Sequence, residues 1–105
     1  MAKKPAPLSL EEAAQVFALL GDRARLRILR LLSGQGDQAV SAISAALGLS
    51  QPTTSHHLTL LRMGGLVAYR RRGQRNHYFL SSDVVAEVLK LIRPDEAEDG
   101  RDGNA

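Results

Sequence analysis

ALGLSQPTTSHHLTLL, residues 46–61, contains the end of one helical pattern, a short turn and the start of a second helical pattern. The turn is Gly48-Leu49-Ser50. Ser50 is a favourable N-cap, and Pro52 is tolerated in the first turn of a helix, where its missing N–H would be unpaired anyway. A short helix, a tight turn and a longer helix predict a helix-turn-helix, the geometry that places the second helix in the major groove of DNA.

The second helix of this pair, QPTTSHHLTLLRM, is here called the recognition helix. At about 100° per residue, Thr54, Leu58 and Leu61 share one face and are expected to point inward, whereas His56 lies roughly opposite. The outward N-terminal part is therefore polar, compact and uncharged, so it can approach base edges and phosphates closely. The candidate DNA contacts on this helix and its cap are Ser50, Gln51, Thr53, Ser55, His56, His57 and Thr59.

LVAYRR and RNHYFL, joined by a turn around Gly73, predict a β-hairpin, here called the wing (residues 66–80). Arginines crowd its tip, and their mutual repulsion becomes attraction opposite a phosphate backbone or in a minor groove. A solvated charged loop is the alternative interpretation. The candidate DNA contacts on the wing are Arg70, Arg71, Arg72, Gln74 and Arg75.

The remaining patterns are helical. Ser9 and Glu12 form a capping box before a helix that is expected to end at Gly21, and Asp22 caps the next helix. Ser81 or Ser82 caps a last helix, which is expected to run to residue 92. The predicted fold is mainly α with a small β-hairpin, a winged helix-turn-helix in the order α-α-α-α-β-β-α. We expect a flexible N-terminus at 1–8, one domain at 9–93 and an acidic disordered tail at 94–105.

Charge and composition narrow the classes of function. Residues 94–105 carry five acidic residues and one arginine, whereas residues 1–93 carry 13 Lys/Arg and 6 Asp/Glu. A basic body with an acidic end is typical of a domain that binds a polyanion. The chain has no cysteine, which excludes disulfides, zinc–thiolate sites and thiol redox sensing. No signal peptide or membrane-spanning pattern precedes or interrupts the domain, so we expect a cytoplasmic location.

DRARLRILRLLS (22–33), ALGLSQPTTSHHLTLLRMGGLV (46–67) and RRRGQRNHYFL (70–80) resemble, in order and spacing, the ArsR/SmtB family of bacterial winged-helix repressors. The resemblance covers residues 10–93, and its specific part is the stretch from Ser50 to Val67. It implies a homodimer built on the first and last helices. It also implies repression through operator binding that is released by a metal ion or another signal.

The last helix also predicts a dimer. Apolar residues cover more of its surface than the single stripe that one protomer's core requires, and such an excess usually marks an interface. The residues predicted for this interface are Leu10, Phe17, Val84, Val85, Val88, Leu89, Leu91 and Ile92. Two-fold symmetry would match a symmetric double-stranded DNA operator, with the two recognition helices about 34–36 Å apart.

The sequence predicts neither a cofactor nor an intramolecular metal site. His56 and His57 are adjacent and diverge by about 100° on a helix, so they cannot easily share one ion. Of the family's known metal sites, the paired cysteines correspond here to Ala39 and Ser41, and on the last helix only Asp83 could serve as a ligand. A metal-responsive repressor with an unusual His/carboxylate site, assembled across a dimer, remains an alternative.

Two further classes of protein fit the sequence less well. No Ser/His/Asp triad, paired carboxylates or glycine-rich phosphate loop stands out, so the sequence does not predict an enzyme. A winged-helix module that contacts only other proteins is the second alternative. Such a module would need neither the arginines at the tip of the wing nor a polar outward face on the recognition helix.

Overall fold

The computed structural model describes residues 5–93 of the chain. The predicted acidic tail, residues 94–105, and part of the predicted flexible N-terminus therefore lie outside the described residues. The elements are α1 (Leu10–Leu20), α2 (Arg23–Gln35), β1 (Gln38–Ala39), α3 (Val40–Leu47), α4 (Gln51–Met63), β2 (Val67–Arg72), β3 (Arg75–Leu80) and α5 (Asp83–Lys90). The predicted helices and hairpin are all present in the predicted order. The two-residue strand β1 is an addition, and the last helix ends at Lys90, two residues before the predicted end.

Side-chain caps fix the starts of α1, α2, α4 and α5 where the sequence placed them. Ser9 Oγ accepts a hydrogen bond from Glu12 N at 3.0 Å, and Ser9 N donates to Glu12 Oε1 at 2.9 Å, which completes the capping box. Asp22 Oδ1 accepts from Arg25 N at 3.0 Å, and this hydrogen bond lowers the pKa of Asp22. At α5 the cap is Ser82, whose Oγ accepts from Val85 N at 3.1 Å.

Glycines with a positive φ end two helices. Helix α2 continues through Gly34 and ends before Gly36, which has a φ of 81° that a side chain would disfavour. Gly48, at φ 70° and ψ 30°, ends α3, and Leu49 N then donates to Ser44 O at 3.0 Å. The chain therefore turns sharply between α3 and α4, as a helix-turn-helix requires.

The sheet has three antiparallel strands in the order β1-β3-β2. Arg72 pairs with Arg75, so the hairpin loop consists of Gly73 and Gln74 alone. Gly73 has a φ of 61° and Gln74 does not have a positive φ, the pattern of a II′ turn that suits the twist of a two-residue hairpin. This tight loop keeps the arginines at the end of the wing close together.

One hydrophobic core joins the helices to the base of the sheet. It consists of Leu20, Ile28, Leu29, Leu32, Ile43, Leu58, Leu61, Leu66, Val67, Tyr78, Val85 and Leu89. Thr54 is also fully buried, so the inward face predicted for the recognition helix is confirmed. Val85 and Leu89 correct the predicted dimer interface, because their exposures of 0% and 9% place them in the protomer's own core.

Candidate nucleic-acid interface

Hydrogen bonds from Ser50 organise the first turn of α4. Its Oγ accepts from Thr53 N at 3.2 Å and donates to Thr53 Oγ1 at 2.9 Å. Thr54 Oγ1 donates to Ser50 O at 2.9 Å from a fully buried position, which ties the turn to the core. The N-terminus of α4 is thus held in one geometry, and a preorganised element loses little conformational entropy when it binds.

The candidate contacts on α4 lie on its open face, with one exception. Ser50, Gln51, Thr53, Ser55, His56 and Thr59 are exposed. Thr59 Oγ1 donates to Ser55 O at 3.0 Å, so its hydroxyl proton is already engaged. His57 is half-buried, and its Nδ1 atom is enclosed without a hydrogen-bond partner among the described residues. His57 is therefore less accessible to a ligand than His56.

All five candidate residues of the wing are exposed, but they differ in their local partners. Arg71 Nε donates to Gly73 O at 3.3 Å, which braces the hairpin loop. Arg75 Nη1 donates to Ser41 Oγ at 3.5 Å and so reaches from the wing to the first turn of α3. These contacts leave most N–H groups of both guanidinium groups available for an anion.

Two wing arginines form ion pairs that the sequence did not predict. Asp37 Oδ2 lies 3.1 Å from Arg70 Nε and 3.7 Å from Arg72 Nη2. The Arg70 guanidinium also lies over the Phe79 ring, 4.5 Å from its centroid. Asp37 precedes β1, far from the wing in sequence, so no local spacing signals this contact.

A crevice of about 410 Å³ separates the recognition helix from the wing. Gln51 and Ser55 line its helical side, and Arg75 and Asn76 line its side on the wing. Ala39, Val40, Ser41 and Tyr78 form the rest of its wall. The structure therefore brings together candidates from both predicted segments, and it adds Ser41 and Asn76, which sequence reasoning missed.

Aromatic rings of the wing contact each other and one arginine of α4. The rings of Tyr69 and Tyr78 lie 5.3 Å apart, and burial raises the pKa of Tyr78. The Arg62 guanidinium, near the end of α4, lies 5.7 Å from the centroid of Tyr69. The first contact joins the two strands of the hairpin, and the second joins the hairpin to the end of the recognition helix.

Potential metal ligands are dispersed. Within residues 5–93, no group of three or more His, Cys, Asp or Glu side chains is placed to hold a metal ion. The rings of His56 and His57 are 5.9 Å apart and inclined at 50°.

None of the described helices is long and apolar enough to span a bilayer.

Exposed apolar residues, here called the apolar surface, lie on α1 and just beyond the end of α5. Leu10, Phe17 and Leu91 are 88%, 56% and 84% exposed, and Ile92, which follows Leu91, is 37% exposed. Val84 and Val88 are half-buried. Val16 of α1 and Val84 of α5 line the same crevice of about 340 Å³, which separates α1 from the start of α5.

Comparison with known proteins identifies the family. Residues 22–69 match the model of the arsR family of bacterial regulatory proteins. A helix-turn-helix-type transcriptional regulator of Methanocaldococcus jannaschii is 43% identical over 82 residues, which cover 78% of this chain and 92% of that protein. The arsenical resistance operon repressor of Escherichia coli is 45% identical over 79% of this chain and 69% of its own length.

A solved structure agrees in fold as well as sequence. The homodimeric winged helix-turn-helix DNA-binding domain of a possible ArsR-family regulator from Mycobacterium bovis superposes with a TM-score of 0.72. It is 41% identical, over 78% of this chain and 75% of that chain. The predicted family and fold are confirmed: this chain belongs to the ArsR/SmtB family of winged helix-turn-helix transcriptional regulators.

Proposed function

We propose that the protein is a homodimeric repressor that binds a two-fold symmetric double-stranded DNA operator. The observation that carries the proposal is the crevice in which Gln51 and Ser55 of α4 lie opposite Arg75 and Asn76 of the wing. One duplex can then meet a base-reading surface and a cationic surface at the same time. A module that contacts only proteins would gain nothing from this arrangement.

The recognition helix supplies the contacts to bases. The candidate contacts on its N-terminal part are an amide, hydroxyls and an imidazole, which fit the donor and acceptor pattern of the major groove. Gln51 is well placed for this role, because it lies in the first turn of α4 and is exposed. In helix-turn-helix proteins the N-terminal residues of the recognition helix are the ones that contact base edges.

The wing supplies contacts to the phosphate backbone or the flanking minor groove. Each phosphate that an arginine neutralises releases condensed counterions, so these contacts raise affinity for every sequence and fall with salt. Arg71 and Arg75 are assigned the leading roles, because their guanidinium groups donate to neutral oxygens of Gly73, Asn76 and Ser41. A phosphate is a stronger acceptor for a guanidinium group than these oxygens are.

The exposed apolar residues of α1 and α5 supply the dimer interface. Leu10, Phe17, Leu91 and Ile92 form its core in this proposal, with Val84 and Val88 beside them. Val85 and Leu89 are left out because they are buried within the protomer. The homodimeric state of the M. bovis domain supports this assignment. The similarity to the arsenical resistance operon repressor of E. coli supports repression and not activation.

We propose no catalytic activity and no metal cofactor for the chain, and a cytoplasmic location, where the operator lies. The absence of cysteine means that an effector, if one acts, is not held by thiolates. The signal is therefore expected to differ from one that requires thiolate ligands.

Selection of random duplex DNA by the purified, metal-free protein at physiological salt tests the proposal. We expect enrichment of a two-fold symmetric consensus with half-site centres about 10 bp apart. Repeating the selection with zinc or nickel tests for a metal-responsive site. If no DNA is enriched under any of these conditions, the repressor proposal is overturned in favour of a protein-contact module.

A further inference from the structure

Asp37 lies on the outer face of the three-stranded sheet, among the cations of the wing. Residues that pair directly across strands share a face, and alternate residues of a strand share a face. The pairs Arg70–His77 and Arg72–Arg75 therefore place these four side chains together. The carboxylate of Asp37 reaches the same cluster, because its Oδ2 atom contacts both Arg70 and Arg72.

The backbone holds Asp37 in place. It lies between Gly36, which ends α2 with a φ of 81°, and Gln38, which pairs with Tyr78 in the sheet. Its side chain is only 24% exposed, whereas those of Arg70 and Arg72 are 55% and 61% exposed. The carboxylate is thus the fixed member of the cluster, and the arginines are the members that can move.

This arrangement opposes DNA binding by the wing. A phosphate that approaches Arg70 or Arg72 must share the guanidinium group with Asp37, and it also meets the repulsion of a second anion a few ångströms away. An ion pair this exposed is weak, so it does not block the arginines. The ion pair instead lowers the net positive charge that the wing presents to DNA.

We infer that Asp37 limits the affinity of the wing for the DNA backbone. This inference rests on the proposed function, since it concerns how strongly the same interface binds. The ion pairs hold Arg70 and Arg72 partly neutralised, which weakens their contacts with phosphates. Phosphate contacts do not depend on base sequence, so the affinity for random duplex and the affinity for an operator are lowered by similar factors.

The test compares wild-type protein with the Asp37→Asn variant on the selected operator and on random duplex, over a range of salt concentrations. We expect Asp37→Asn to bind random duplex about 3- to 10-fold more tightly, with a salt slope steeper by about 1. Asp83→Asn on α5 is the matched control, because it removes the same charge from an exposed site away from the wing. Asp83→Asn should leave the affinity for random duplex and the salt slope unchanged.

A double-mutant cycle identifies the cause. In the wild-type background, replacing Arg70 and Arg72 by Gln should weaken binding modestly. In the Asp37→Asn background the same replacements should abolish the increase in affinity for random duplex that Asp37→Asn produces. If the wild type binds its operator and Asp37→Asn binds random duplex no more tightly, the inference is wrong and the proposed function stands. If neither protein binds DNA, the proposed function fails and the inference fails with it.

Discussion

Gln51 of α4 and Arg75 of β3 line the same crevice, although the rest of α4 and the whole of β2 separate them in sequence. A duplex that reaches one side chain is therefore within reach of the other. In the proposed function Gln51 contacts a base and Arg75 binds a phosphate. The two roles predict different effects of substitution.

Replacing Arg75 with Gln should weaken binding to operator and random DNA by similar factors. The salt slope should fall by about 1, because one phosphate contact is lost. Titration of both duplexes at several salt concentrations measures this change. Lys90→Gln on α5, which removes the same charge from an ion pair with Glu87, is the control and should not alter the slope. A salt slope that Arg75→Gln leaves unchanged would remove this residue from the phosphate contacts.

Replacing Gln51 with Ala should instead act on sequence preference. One base position of each half-site should lose about 1–3 kcal/mol of discrimination, while the salt slope stays constant. Repeating the DNA selection with the variant reveals the affected position. Uniform weakening across all positions, as expected for Arg75→Gln, would show that Gln51 contacts the backbone and not a base.

The dimer assignment predicts that a charge at the apolar surface separates the protomers. Phe17→Glu and Leu91→Glu each place a carboxylate where an apolar contact is proposed, and an unpaired buried charge is costly. Sedimentation at micromolar concentration should detect monomers, and operator affinity should fall sharply. Met63→Glu is the control, because Met63 is 74% exposed at the other end of α4 from Gln51. Dimers that persist in both variants would contradict the assignment.

Two glycines predict opposite changes in the free energy of unfolding. A methyl group on Gly64 would overlap the Cδ1 atom of Leu19, which packs against the core, so Gly64→Ala should cost about 1–3 kcal/mol. Gly34 lies within α2, and a methyl group there would meet no atom within 4 Å. Gly34→Ala should therefore stabilise the protein by up to about 1 kcal/mol. Urea denaturation measures the free energy of unfolding of both variants. Equal changes in the two variants would refute the contact between Gly64 and Leu19.

Local chemistry made the helices and the hairpin predictable. Ser9 with Glu12, Asp22 and Ser50 are side chains that bond to backbone within one turn, so their roles are visible in sequence. The exception is the end of α2, where both Gly34 and Gly36 could stop a helix. The structure uses Gly36, and the two-residue strand β1 follows it. A strand that short carries no periodic pattern.

Contacts between distant segments were not predictable. Asp37 pairs with Arg70 and Arg72, and Ser41 meets Arg75, only because the sheet brings β1 and the wing together. The apolar surface of α5 was recognisable, but its pattern does not say which valines face the protomer's own core. The structure buries Val85 and leaves Val84 and Val88 partly open.

Cleavage of DNA from tethered reagents tests the central proposal most directly. The chain has no cysteine, so Gln51→Cys and Gln74→Cys can each carry one iron-chelate cleavage reagent without competing sites. On the selected operator, we predict cleavage within each half-site from position 51 and in the flanking minor groove from position 74. Met63→Cys, about 18 Å along α4 from Gln51 at 1.5 Å per residue, should give little cleavage. Cleavage from position 63 that equals or exceeds cleavage from positions 51 and 74 would contradict the proposed interface.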